Sequence, residues 1–133
     1  MTPIIDSILG EIADCGNAWF SATVSHRDQR VQIVLPAGKI EYICVDQAAL
    51  SSARRVVQEL ASTVEQALGF LATFRGFGGL ERVRAIFTLQ CIVTTSKAGS
   101  FWLEFRCSED RNPEAIWRVE FEGWLPTAQG RDD

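Results

Sequence analysis

The sequence predicts an α+β fold: an antiparallel sheet of about six strands with one long amphipathic helix packed on one face. Three observations carry this expectation. Segments in which apolar and polar residues alternate, the period of a half-buried strand, occupy both halves of the chain. Between them, residues 47–75 change to apolar spacings of three and four, the period of a helix. Strands, then one major helix, then strands is the order of a sheet whose helix covers a single side.

Each element follows from its residues. Residues 4–9 fit either helix or strand, because Ile5, Ile8, Leu9 and Ile12 also recur at helical spacing. Gly10–Asp14 and Ala18–Val24 flank the turn residues Cys15-Gly16-Asn17, and Phe20, Ala22 and Val24 alternate with Trp19, Ser21 and Thr23 as a strand does. After the polar turn His26–Gln29, a second strand runs through Val31, Ile33 and Leu35, and a third, Ile40–Val45, is β-branched and aromatic. Asp46 is placed to cap a helix, its carboxylate accepting from free first-turn amides. That helix would span about 43 Å at 1.5 Å per residue, and Thr63-x-x-Gln66 could restart it after a break near Ser62-Thr63. The glycines of Arg75-Gly76-Phe77-Gly78-Gly79 suit its left-handed exit. Three more strands follow: Val83–Thr95, with Ala85, Phe87, Leu89, Cys91 and Val93 on one face; Phe101–Cys107; and Ala115–Trp124. Residues 1–126 read as one domain, and 127–133 as a polar tail, expected to fray.

The totals agree with one globular unit: 133 residues, 47% hydrophobic and 23% charged, with four Trp and eight Phe to fill a core. No apolar run approaches the roughly 20 residues of a membrane span. Met1-Thr2-Pro3-Ile4-Ile5-Asp6 has no basic region of a secretory signal, so a cytoplasmic location is expected. Cys15, Cys44, Cys91 and Cys107 show no C-x-x-C, and Cys44, Cys91 and Cys107 sit in apolar strand patterns, so buried free thiols are expected.

Familiar catalytic and metal-binding patterns are missing. His26 is the only histidine, in a polar turn, which leaves a Ser–His–Asp site without a plausible base. Glu109, Asp110 and Glu114 lack calcium-loop spacing and read as a solvated loop. Gly76-Phe77-Gly78-Gly79 lacks the Lys-Ser/Thr of a phosphate loop. Arg54, Arg55, Arg75, Arg82 and Arg84 are offset by as many acids. The expectation is a protein with no metal and no cofactor that is not an enzyme.

Charge is uneven. Residues 1–99 hold nine acids and nine bases, whereas residues 100–133 hold eight acids and four arginines, so the last quarter carries the whole net charge of −4. A nucleic-acid binder needs the opposite sign; an acidic end suits a basic protein partner. Placing Cys107 opposite Ala115 pairs Phe101 with Phe121, Leu103 with Val119, Phe105 with Trp117, Glu104 with Arg118 and Trp102 with Glu120. A shift by two residues would oppose Glu104 to Glu120 and Arg106 to Arg118, both like-charge pairs that destabilise. The favoured register leaves a second sheet face of Trp102, Glu104, Arg106, Arg118, Glu120 and Glu122, ending at Trp124, with Glu109, Asp110 and Glu114 in the connection at one end. Two readings of it stay open: a solvated face with Trp102 shielded by a loop, or an interface with aromatic anchors and steering charges.

Leu9-Gly10-Glu11-Ile12, Trp19 opening a strand, an Ala- and Leu-rich helix, and Phe101-Trp102-Leu103-Glu104-Phe105-Arg106-Cys107 form an order that resembles small bacterial immunity proteins of contact-dependent inhibition and other polymorphic toxin systems. The resemblance implies a small, cytoplasmic, non-enzymatic protein that neutralises a cognate toxin domain by binding it. The expected partner-binding residues are Trp102, Glu104, Glu109, Asp110, Glu114, Glu120, Glu122 and Trp124, the acids engaging a basic toxin and the tryptophans anchoring. The other expectation is a small-molecule-binding domain with a pocket between helix and sheet.

Overall fold

A computed structural model describes residues 4–38, 44–74 and 76–133. Four strands, β1 (Ile4–Asp6), β2 (Gly10–Gly16), β3 (Trp19–His26) and β4 (Gln29–Pro36), are followed by helices α1 (Gln47–Gln58), α2 (Leu60–Ala72) and α3 (Leu80–Ile86). Four more strands follow: β5 (Phe87–Thr94), β6 (Phe101–Cys107), β7 (Ile116–Glu122) and β8 (Leu125–Asp132). They form one eight-stranded sheet in chain order. Each neighbouring pair is antiparallel except β4 and β5, which run parallel because the helices carry the chain back between them.

The α+β class with a helical layer on one sheet face is therefore present, with eight strands and three helices among the described residues where about six and one were expected. The core lies between that layer and the inward residues of the strands, among them Ile12, Val31, Ile33, Leu103, Phe105 and Val119, all 0–1% exposed. Asp46 caps α1 as expected, its Oδ1 accepting from the Ala49 amide at 2.9 Å. The helix breaks at Glu59 rather than near Ser62-Thr63, and the Thr63 hydroxyl donates back to the Glu59 carbonyl at 3.0 Å instead of opening a new helix. Breaking there keeps an apolar face on the sheet in both halves, through Ala49, Ala53 and Val56 in α1 and Val64, Ala67 and Leu71 in α2.

Several other boundaries change. Residues 4–6 are strand, and the turn after them is held by Asp6. The β2–β3 hairpin turns at Asn17-Ala18, with Cys15 and Gly16 still in β2. The expected strand Ile40–Val45 falls almost wholly outside the described residues; Val45 makes a single bridge to Ala37. Cys44 is exposed, not buried, while Cys91 and Cys107 are buried thiols. Residues 80–86 are helical, with Val83 and Ile86 buried three apart and Ala85 exposed. The expected tail is strand β8, paired along β7 from Glu122↔Leu125 to Ile116↔Asp132.

The β6–β7 register is the expected one from Phe101↔Phe121 to Phe105↔Trp117, including Glu104↔Arg118 and Trp102↔Glu120, while Ala115, expected opposite Cys107, lies before β7. Three two-residue hairpins place non-glycine residues in the left-handed region: Asn17 and Ala18, Arg27 and Asp28, and Trp124 after Gly123. Such turns match the twist of the strands but favour Asn-Gly. Alanine has no side-chain hydrogen bond to offset the conformation that Ala18 holds at φ 67°. Ala18→Gly is expected to raise the unfolding free energy by about 0.5–1 kcal/mol. Chemical denaturation measures this, and an unchanged or lower midpoint would count against the turn.

Candidate functional site

Among the described residues, no helix covers the other side of the sheet. Because strand neighbours share a face, the registers define its rows. One runs Ser21, Val34, Val93, Trp102, Glu120, Ala128 across six strands; the next runs Thr23, Gln32, Cys91, Glu104, Arg118, Gly130. Cys91 and Val93 belong here rather than to the core. A bulge between Leu89 and Cys91 inserts Gln90, so Ile92 takes the inward place opposite Leu103 and its neighbours turn outward. Both are nevertheless buried, flanked in the ladder by Val34, Trp102 and Glu104. Burial, followed by the Glu104 charge, pushes the Cys91 thiol up to about 12, so it is protonated and unreactive at neutral pH.

Trp102 is half-buried at the middle of this face. Its indole nitrogen donates to Glu104 Oε2 at 2.9 Å, fixing ring and carboxylate to each other. Arg118 lies opposite Glu104, reaches Asp132 Oδ2 at 2.7 Å and stands 4.0 Å from Glu120 Oε2. Its guanidinium passes over β8 at Gly130, where a Cβ would come within 3.3 Å of Nη2. Glu122 continues the face to its edge, accepting from Ser100 Oγ at 3.0 Å and pairing with Lys97 at 3.4 Å.

Of the eight expected partner-binding residues, Trp102, Glu104, Glu120 and Glu122 thus come together. The remaining four are placed elsewhere. Glu109 pairs with Arg82 of α3, and Glu114 with Arg106 at 3.4 Å. Asp110 is a buried anchor with its side chain 5% exposed: it accepts from Arg131 Nε and Nη2, each at 2.8 Å, and from the Trp117 indole at 2.8 Å. The Arg131 guanidinium, then the Asn112 amide, hold its carboxyl well below the usual carboxylate range. Trp124 lies on the helical side: Arg55 stacks over its ring at 3.9 Å, Phe101 is 5.8 Å away, and a Cβ on Gly99 would meet its indole nitrogen at 2.9 Å. The left-handed turn at Gly123-Trp124 swings it there, off the β7 alternation that placed it outward.

The placement of Cys91 and Val93 had a visible signal. Cys91-Ile92-Val93 is a continuous apolar run, the pattern of a central strand buried on both faces. Chemically, the face offers one aromatic plane held by a carboxylate, Val93 and Glu120 beside it, and carboxylates balanced in part by Arg118 and Lys97. Among the described residues no group of three or more His, Cys, Asp or Glu side chains is arranged to hold a metal ion, and no helix is long and apolar enough to cross a membrane. Comparison with protein-family models, with curated proteins and with solved structures finds no match.

Proposed function

We propose that this chain is a non-enzymatic protein-binding domain that engages its partner through the helix-free sheet face around Trp102. The observation that carries the reading is the half-buried Trp102, pinned by Glu104 between Val93 and Glu120 on the helix-free face. A rigid aromatic anchor adds contact area at little cost in side-chain entropy, and the framing charges set orientation. In the setting implied by the resemblance to immunity proteins, the chain is cytoplasmic and the partner is a cognate bacterial toxin domain whose basic residues meet Glu104, Glu120 and Glu122. Glu109, Asp110, Glu114 and Trp124 take no direct part in this reading, since they lie outside the strand rows that carry Trp102 and Glu104.

Affinity capture from the native cell, read by mass spectrometry, tests this. The tagged protein is expected to recover one basic partner at equal stoichiometry. Trp102→Ala combined with Glu120→Lys is expected to weaken that binding at least about thirtyfold, the loss of one interface hot spot. Thermal unfolding of the double variant checks that the fold persists. A folded double variant that holds the partner as tightly as the parent would remove this face from consideration.

A further inference from the structure

A second site lies away from that face, at one end of the sheet and on its helical side. A cavity of about 230 Å³ opens there between α2, α3, β5 and the turn joining β3 to β4. We propose that it binds a small amphipathic monocarboxylate, with the apolar body inside and the carboxylate at Arg27.

The walls determine the body. Val64 and Leu68 of α2 face Phe87 and Leu89 of β5, with Phe105 of β6 behind them. The volume is below the roughly 300 Å³ at which drug-sized pockets begin, so the ligand is compact, a single ring or a short acyl chain. The mouth determines the charge. His26, Arg27 and Gln29 come from the turn, and Arg84 from α3. Arg84 is engaged by Glu65 and Glu81. Arg27 is near enough to Glu65 to help hold its carboxyl down, so two guanidiniums share that carboxylate, while the Glu81 side chain is 91% exposed to solvent. Among the described residues Arg27 makes no ion pair within 4 Å. His26 reports the resulting field: burial, then the Arg27 charge, lowers its pKa. A phosphate-rich ligand would carry excess negative charge toward Glu65 and Glu81, whereas one carboxylate matches Arg27, which at this mouth has no ion pair within 4 Å among the described residues.

The backbone sets the place of Arg27: the two-residue hairpin between β3 and β4 requires the φ of 49° and 64° that Arg27 and Asp28 hold, and it puts Arg27 at the cavity mouth.

The only histidine in the chain makes the test direct, because its imidazole NMR signals need no assignment. Benzoate titrated into the full chain is expected to shift those signals saturably and to raise the pKa of His26. Benzyl alcohol, the uncharged analogue, is expected to leave them unchanged at the same concentrations. Arg27→Gly relieves the turn and removes the guanidinium, so it is expected to raise the melting temperature while weakening benzoate binding about tenfold, the loss of one charge-assisted contact. Absence of a saturable shift with benzoate, an equal response to the alcohol, or benzoate affinity unchanged in Arg27→Gly would each overturn the proposal.

Discussion

Replacing Phe121 with alanine is expected to lower the unfolding free energy by about 3–5 kcal/mol, the range for deleting a buried aromatic ring. Phe121 is 1% exposed and stacks on Phe101 with centroids 4.6 Å apart and planes 14° from parallel. Phe101 continues to Trp124, which fills the space over Gly99 beneath the Arg55 guanidinium. The ring therefore supports the contact between the last hairpin and α1, and its loss opens a cavity that neighbouring rings, already in contact, fill only in part. Phe121→Leu keeps most of the volume and should cost less than about 1.5 kcal/mol. Denaturant unfolding of the two variants gives both values. Equal costs would mean that the surrounding rings close over the gap, against the packing described.

The strands that were legible in the sequence are those with one buried and one open face. β3, β4, β6 and β7 alternate, and opposite charges at Glu104 and Arg118 specify the β6–β7 register as well as its existence. β8 was hidden because an edge strand has little to bury. Leu125-Pro126-Thr127-Ala128-Gln129-Gly130-Arg131-Asp132 is the polar, proline-bearing composition that protects an edge from further pairing, and it reads as a tail. α3 was hidden for the reverse reason: at seven residues its two buried positions, Val83 and Ile86, are too few to outweigh the apparent alternation of Val83, Ala85 and Phe87. The single inserted residue at Gln90 changed the face of the rest of β5, Cys91 to Val93, as a one-residue slip must.

The candidate face was half legible. Trp102, Glu104, Glu120 and Glu122 follow from alternation and pairing alone. Asp110 and Trp124 do not, because their places depend on Arg131 and Arg55, distant in sequence and identified as partners only once β8 and the helices are in position. Acidity along a chain therefore overstates the acidity of a surface. Most of the acids in the last quarter acquire a basic neighbour on folding, and what remains for a partner is a patterned face rather than a uniformly negative one.

Asp6→Ala is expected to destabilise the protein by about 3 kcal/mol at pH 7, and the cost should fall as the solution is acidified. The carboxylate is 3% exposed and accepts from the amides of Ile8 and Leu9 at 3.0 and 2.9 Å and from Arg54 Nε at 2.9 Å, tying the first hairpin to α1. Two amide hydrogen bonds and one bond to a charged group account for that magnitude. The Arg54 hydrogen bond, opposed by burial and aided by the two amides, lowers the pKa of Asp6 from 3.8 to about 2. A carboxyl whose folded pKa lies below its unfolded value contributes stability that is present in full above pH 4 and is lost as pH falls through the folded pKa. By pH 2 the loss reaches about 2 kcal/mol, an upper value because Arg54 is 42% exposed and solvent screens part of the pair. Asp110 and the other acids titrate in both proteins and cancel from the difference. Unfolding free energies of parent and variant, measured at intervals from pH 7 to pH 2, should therefore converge at the acid end. A gap that stays constant across that range would mean that Asp6 is not ionised against Arg54 in the folded protein, and that the hairpin is held to the helix by its apolar contacts at Leu9 and Ile12 alone.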